Sequence, residues 1–568
     1  MHRYILEITA GIIIIFLAFS HLHTEKIQLT NLIDNFSVRQ KKLINVVCSA
    51  ILFTLFIFLI TFKVNEVPTP YNVDEAGMAY DALNIANYGV DRYLYKNPVY
   101  FINFGEGQSV LYGYLTVLMI KLFGFNVISI RLTAIILSII STIVFTKLIK
   151  NEFGRAASLI SLALLCILPF SIMHSRWGLD AFLLFPMIII SSSVLFKAIR
   201  NKKNSLFLIA GFFLGITLYT YVISYVFLVI FLAFFIPILL YIKRINLKQI
   251  ITMGIPLFFL AIPLLLMLAV NFGLIEEIKT SFISVPKLLY DRKIEISIGN
   301  IFNNLKFTSS NIFYRIFFHD IYIHNSLPKF GNLYHLSIPI IILGAFLSIK
   351  SSIISIRKKT ITMDLMITCL FFSAFITTAM LSDINVHRSC EIFYPLIYFL
   401  LIGIKFIYKK SNFSMLLLTG SYIVLSILFF KYYFIYYEKD TENNLYSCSL
   451  SEYKEVLSFV DSLKYPENEK KDIYVIGKAE PNIYTMLALN IDPYSFDKEK
   501  TTGVMDLVPG IRVLSYKNYH FMTYLRWDGI PDNYIYIFLD RHDIPWKMDL
   551  LNFETKYFNS MIVYYPSE

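Results

Sequence analysis

The sequence predicts a polytopic α-helical membrane protein of about 11–12 spanning helices with a small extracytoplasmic α/β domain at its C-terminus. Three observations predict it. Of 568 residues, 56% are apolar and only 16% charged, with a mean hydropathy of +0.60; about 25% charged is usual for soluble domains. Apolar runs near the length of a bilayer span alternate with short basic loops. The last stretch, 437–568, breaks that pattern: Lys, Asp, Glu, Asn and Pro rise and the apolar runs shorten. The composition excludes a soluble enzyme, a disordered chain and a disulfide scaffold. Five cysteines, Cys48, Cys166, Cys369, Cys390 and Cys448, are scattered and form no metal or redox spacing.

A spanning helix needs about 20 mostly apolar residues. Such runs lie near 4–20, 43–63, 126–148, 156–173, 181–199, 205–221, 222–242, 249–269, 336–349, 361–381, 391–408 and 413–436. Six basic loops fall between them, around Arg39–Lys42, Lys147–Arg155, Lys197–Lys203, Lys243–Lys248, Lys350–Lys359 and Lys405–Lys410. The net charge of +11 is therefore read as the positive-inside rule, and no nucleic-acid partner is expected. With all six loops cytoplasmic, 64–125, 174–180, 270–335, 382–390 and everything after about 437 lie outside. The same parity decides Gln108–Gly124, which is apolar enough to span but would reverse every later side if it did. It is read as an interfacial or re-entrant helix on the outer face. For 4–20 two readings are open, a retained helix and a signal peptide; the short n-region and the lack of a clear cleavage site favour the helix.

Three regions result: 1–42, a helix and a basic loop; 43–436, the membrane domain; and 437–568, the α/β domain. In the last, Asp472–Gly477 and Tyr534–Asp540 read as strands, and 451–464 and 481–490 as helices.

Few polar residues stand near the lipid boundary, and these are the candidates for chemistry. Asp74 and Glu75 begin a helix that ends before Gly89. Asp74 is either an N-cap or, with Glu75, a general base for an acceptor hydroxyl or amine. Gly77 stands where a capping box would place Glu or Gln. Arg176 and Asp180 follow Pro169 in a very short loop. They pair on one helix face, or Arg176 contacts a phosphate while Asp180 adds a second acid. Arg131 opens a span and either snorkels or binds phosphate. His387 and Arg388 stand at the end of another span, as membrane-surface or phosphate contacts. Tyr219 and Tyr221 form an aromatic belt or touch substrate. His319, His324 and His335 match no metal spacing.

Together these features resemble the C-type superfamily of membrane glycosyltransferases. The likeness is greatest to the dolichyl-phosphate-mannose–protein mannosyltransferase-like group, with the aminoarabinose and Rgt-type sugar transferases. It rests on the acidic pair Asp74 and Glu75, the helix ending in Phe123 and Gly124, the span-opening Arg131, and Pro169 followed by Arg176 and Asp180. It covers 45–245 well and 380–410 weakly. The sequence departs from the group at NFGEGQSVLYGYL, where many members carry Lys-Pro-Pro or His-Pro-Pro. The extra first helix and the α/β tail are further departures.

The resemblance implies the C-type glycosyltransferase fold and transfer of a single sugar from a polyprenyl-phosphate-linked donor to a cell-envelope acceptor, a glycan, lipid or protein. The expected place is the outer face of a bacterial cytoplasmic membrane. Asp74, Glu75 and Asp180 are implied as catalytic, and Arg176, Arg131, His387 and Arg388 as ligands of the donor phosphate. Glu106, Gln108, Tyr112, Tyr219 and Tyr221 are candidate substrate contacts. Membrane lipid is a further partner. Two acids would suit Mg²⁺ or Mn²⁺, but the sequence shows no coordination geometry. The rival functions are a polymerase or ligase using a lipid-diphosphate donor, and a non-enzymatic transporter.

Overall fold

The computed structural model describes residues 2–19, 37–68, 71–103, 105–289, 296–306, 312–318, 320, 322, 325–437, 448–463, 471–477, 480–505, 508–525, 533–540, 544, 548 and 553–566. Of the histidines read above, His319 and His324 lie outside these residues. The chain forms two compact units, each built from three separate stretches of sequence. One comprises Met1–Val64, Ala134–Ile262 and Ile294–Ile435; the other comprises Asn65–Thr133, Pro263–Lys293 and Tyr436–Glu568.

The first unit is helical, and a helix covers each of the twelve apolar runs. Among the described residues, eight helices are long and apolar enough to cross a membrane: Lys42–Thr61, Val127–Phe153, Asp180–Asn201, Ile223–Tyr241, Leu247–Asn271, Ser337–Arg357, His387–Lys410 and Asn412–Ile435. The other four expected spans are the shorter apolar helices Tyr4–Phe19, Arg155–Ile167, Asn204–Thr217 and Met363–Ala379. At 1.5 Å per residue, 13 residues reach only about 20 Å, short of a hydrocarbon core of about 30 Å. For the run 156–173 the cause is Pro169. It ends one helix at Ile167 and takes the first position of the next, Pro169–His174.

Local chemistry explains the helix ends. Ser37 closes a capping box with Gln40, its Oγ accepting from Gln40 N while Ser37 N donates to Gln40 Oε1. Lys150, Arg200, Arg357, Lys409 and Lys410 occupy last turns, so the cations that mark the basic loops also complement the negative helix ends. Ser337–Arg357 and Phe393–Lys410 are in intimate contact. A Cβ at Gly344 would fall 1.8 Å from the Phe399 carbonyl oxygen, and one at Gly403 2.3 Å from that of Ile340. Such close approach of backbones is how helices associate where no hydrophobic force separates helix from solvent. The first helix joins this bundle through buried Ile14 and Ala18 and through Tyr4, whose hydroxyl donates to Pro328 O at 2.8 Å.

The second unit centres on a seven-stranded mixed sheet. Its strand order is Phe553–Tyr557, Ile562–Pro566, Ile535–Phe538, Ile473–Ile476, Tyr519–Met522, Val508–Tyr516, Lys500–Met505. Ile473–Ile476 runs parallel to both its neighbours, while the other pairs are antiparallel. Ile476, Tyr536, Phe538, Met548, Ile562 and Tyr564 form a core against it. The helices Leu450–Ser462 and Pro481–Leu489 match two segments expected from the sequence, as do the strands at 473–476 and 535–538.

This unit is wider than the tail alone. Tyr484 Oη donates to Tyr71 O at 3.2 Å, Cys448 N to the same carbonyl at 3.3 Å, and Tyr80 Oη to Ile491 O at 2.8 Å. The Val73–Tyr88 helix is thereby part of the same body as the sheet. The apolar segment around 111–123 is a helix of 13 residues, Leu111–Phe123, with Leu118, Leu122 and Phe123 exposed.

Candidate active site

The acidic pair of the second unit is set by the first turn of the Val73–Tyr88 helix. Asn72, rather than Asp74, is the N-cap: its Oδ1 accepts from Asp74 N at 3.0 Å. Gly89, in the left-handed region at φ +74°, closes the other end. With the cap supplied by Asn72, both carboxylates of the first turn complement the helix N-terminus and project in different directions. Glu75 is fully buried. Arg131 meets it with two parallel bonds, Nε to Oε1 at 2.8 Å and Nη2 to Oε2 at 2.9 Å, and places Nη1 2.9 Å from Pro68 O. Each residue thus uses its charge on the other. Glu75 and Arg131 form a buried, mutually neutralising pair able to hold the first turn of the helix in position.

Asp74 is half-buried, and Asn103 Nδ2 donates to its Oδ1 at 3.2 Å. Asn103 comes from the hairpin Phe101–Asn103/Glu106–Gln108. It can reach Asp74 because position 77 is glycine: a Cβ there would lie 2.5 Å from Asn103 Oδ1 and 3.0 Å from Arg92 Nη2. The residue that breaks the capping-box pattern is therefore needed for this contact. In the same hairpin Glu106 is half-buried and Gln108 is buried. Tyr112 is fully buried and donates its hydroxyl to Ile130 O at 3.0 Å.

Sequence reasoning missed the neighbouring cluster of Asp81, Asp91 and Arg92. Arg92 donates from Nε to Asp81 Oδ1 at 2.8 Å, and from Nη2 to Asp81 Oδ2 at 2.6 Å and Gly77 O at 2.5 Å. Asp91 Oδ1 accepts from the backbone of Tyr93 and Tyr95, each at 2.9 Å. Burial, and next the charge of Asp81, push the Asp91 carboxyl up to about 7. The adjacent Asp-Arg of GVDRY was the available signal, but Asp81 lies in a helix that ends at Tyr88, so no helical spacing links it to Arg92.

In the first unit, Arg176 and Asp180 do not share a helix. Arg176 follows the Pro169–His174 helix in a turn, and Asp180 opens the 3₁₀ segment Asp180–Leu183, so pairing on one helix face does not apply. Arg176 is fully buried and donates to the carbonyls of Leu59, at 2.6 Å, and Phe62, at 2.5 Å. It also stacks over the rings of Phe434 and Tyr433. It caps the open carbonyl end of the helix that finishes at Thr61. Asp180 is 8% exposed. Its 3₁₀ segment packs on a second one, His387–Ile392, which brings two of the sequence candidates into one neighbourhood. His387 Nδ1 lies 3.0 Å from Asn325 Nδ2, and Arg388 Nη1 lies 3.9 Å from Asp383 Oδ2. Asp320 holds the same segment by accepting from Val386 N at 2.5 Å; this residue gave no sequence signal. Tyr221 is buried, and Tyr219 donates its hydroxyl to Leu260 O at 2.7 Å. His335 is buried against Tyr4, with Nδ1 3.4 Å from Glu7 Oε2.

Among the described residues no three His, Cys, Asp or Glu side chains gather in a way that would hold a metal ion. With Glu75 committed to Arg131, the pair at 74–75 does not fit a carboxylate set for Mg²⁺ or Mn²⁺.

The fold is that of the C-type membrane glycosyltransferases. ArnT from Cupriavidus metallidurans in the apo state superposes with a TM-score of 0.52 at 10% identity, over 93% of this chain and 98% of that one. The same protein bound to undecaprenyl phosphate gives 0.47 at 10% identity with the same coverage. An Archaeoglobus fulgidus oligosaccharyltransferase in the apo form gives 0.41 at 12% identity, over 78% of this chain and 63% of that one. In sequence, the family model for dolichyl-phosphate-mannose-protein mannosyltransferase matches residues 108–267. No curated protein matches the chain by sequence.

Proposed function

We propose that this protein is a membrane glycosyltransferase that moves one sugar from a polyprenyl-phosphate donor to a cell-envelope acceptor at the outer face of a bacterial cytoplasmic membrane. One observation carries the assignment of the base: of two adjacent carboxylates, Arg131 consumes Glu75, whereas Asp74 is half-buried and oriented by Asn103. The resemblance of the acidic pair to the family pattern and the match to the mannosyltransferase model support the reaction class.

In the proposed step the acceptor oxygen or nitrogen attacks the anomeric carbon and gives its proton to Asp74. The bond from that carbon to the phosphate oxygen breaks, and polyprenyl phosphate leaves with the electron pair. Direct displacement inverts the anomeric centre. A cation would suit the departing phosphate, since guanidinium and phosphate match in charge and geometry. Arg176 already donates to two carbonyls, so it is assigned to positioning.

The test is transfer of radiolabelled sugar by purified full-length protein in lipid. Asp74→Asn is expected to abolish turnover, a loss of about 10²–10⁴-fold for a general base, while donor binding survives. Turnover within a few-fold of wild type would overturn the role of Asp74. Supplying a monophosphate-linked sugar and a diphosphate-linked oligosaccharide in parallel tests the donor class; consumption of the diphosphate alone would replace this reading with a polymerase or ligase.

A further inference from the structure

The first helix, His2–Phe19, is a departure from the family pattern that the proposed transfer step leaves without a task. Its enclosed side is one stripe, Tyr4, Glu7, Gly11, Ile14 and Ala18, at alternating spacings of three and four. The C-terminal half of the stripe is ordinary packing, with Ile14 and Ala18 buried. The N-terminal half carries Glu7, the one acidic residue of the helix. A carboxylate in an apolar helix of this kind is costly unless something holds it.

This half is fastened to one stretch of chain in the same unit, residues 318–339. Tyr4 donates its hydroxyl to Pro328 O at 2.8 Å, and its ring lies 4.3 Å from the imidazole of His335 and 5.8 Å from the ring of Phe318. His335 is fully enclosed and stacks on Phe318 at 5.3 Å. Its Nδ1 lies 3.4 Å from Glu7 Oε2, an ion pair whenever the imidazole is protonated. Gly11 lets the backbones meet: a Cβ there would fall 2.6 Å from Leu336 O and 2.6 Å from Pro339 Cγ.

The same stretch grips a second element. Asp320 Oδ2 accepts from Val386 N at 2.5 Å, Asn325 Nδ2 lies 3.0 Å from His387 Nδ1, and the Tyr322 ring lies 5.8 Å from that of His387. Asp320 N donates to Ser326 Oγ at 3.1 Å, so this grip is tied to a residue two positions from Pro328. The gripped residues open the 3₁₀ segment His387–Ile392, on which the segment of Asp180 packs. A 3₁₀ turn has poorer hydrogen-bond geometry than an α-helix, and this one is kinked at Ser389. Its course therefore depends on what holds it from outside. A helix that only covered the bundle would need apolar residues along its whole stripe; the hydroxyl, the carboxylate and the glycine all meet the stretch that holds this segment.

We propose that the first helix is a brace. Tyr4, Glu7 and His335 are positioning residues that fix 318–339 and, through Asp320 and Asn325, keep His387–Ile392 in its course beside Asp180. The further statement that this segment serves the donor rests on the transferase reading; the bracing itself does not.

The test is hydrogen–deuterium exchange read by mass spectrometry on the full-length protein in detergent. Wild type is compared with a Tyr4→Phe, Glu7→Gln double variant, which removes the anchors, and with Gly11→Val, which wedges the backbones apart. Peptides covering 383–392 contain the Val386 amide held by Asp320. They should exchange severalfold faster in the double variant and about tenfold faster or more in Gly11→Val. Peptides from the middle of Met363–Ala379 should keep wild-type protection in both. Exchange of 383–392 within about twofold of wild type in both variants, or an equal rise in Met363–Ala379, overturns the brace. In the transfer assay both variants should raise the donor KM more than they lower kcat; an unchanged donor KM overturns the positioning role. Asp74→Asn should lose transfer with 383–392 as protected as in wild type, so failure here and failure of the assigned base are told apart.

Discussion

Glu75→Gln isolates the role given to the buried ion pair. The substitution keeps the volume but leaves the Arg131 guanidinium, fully enclosed, with no counter-charge across two bonds of 2.8 and 2.9 Å. Removing one partner of such a pair costs about 3–5 kcal/mol. The thiol of Cys448, 2% exposed in the same unit and pushed up in pKa by burial and by Glu452, is silent in the native state and reports local opening. In a background where the other four cysteines are alanine, its labelling by a maleimide under fast-reclosing conditions should rise roughly a hundredfold or more. Glu75→Gln with Arg131→Met should recover most of the protection, since it leaves no uncompensated charge. Labelling within about threefold of wild type in the single variant, or a double variant as bad as the sum of the singles, would refute the positioning role.

Two further outcomes follow from the structure. Because the native state holds the Asp91 proton up to about pH 7 while an unfolded Asp releases it near 4, the contribution is complete below about pH 4 and is lost as pH rises to about 7; comparing urea midpoints over pH 4–8 should show that Asp91→Asn flattens this slope. Gly344→Ala inserts a methyl 1.8 Å from the Phe399 carbonyl oxygen, forces two membrane helices apart and should destabilise by about 1–3 kcal/mol, read as a lower melting temperature in detergent, whereas Gly254→Ala, which meets nothing within 4 Å, should not.

Much of the architecture was legible because membrane helices carry their signal locally. Every apolar run became a helix, and Asp472–Gly477 and Tyr534–Asp540 became strands because their apolar content was concentrated in short blocks. The span count was less legible: Pro169 divides one run, and three other helices fall short of 18 residues. The acidic pair could be located but not resolved into two roles, because the residue that separates them, Arg131, is 56 positions away. The Asn103 contact was invisible for the same reason, since it depends on a hairpin meeting a glycine. The sheet edge Lys500–Met505/Val508–Tyr516 carries no apolar alternation strong enough to stand out from the polar tail.

The second unit is assembled from chain ends made far apart in time. Tyr80 and the carbonyl it bonds, that of Ile491, are separated by 411 residues. At about 5–20 residues per second of synthesis, the Val73–Tyr88 helix waits on the order of half a minute for the partner that covers it. During that interval the helix can pack against Leu111–Phe123 but not against Pro481–Leu489, which it also touches. A chain truncated near residue 436 would carry its membrane helices and leave this unit incomplete, so protease sensitivity of Val73–Tyr88 is a measure of whether synthesis passed Ile491.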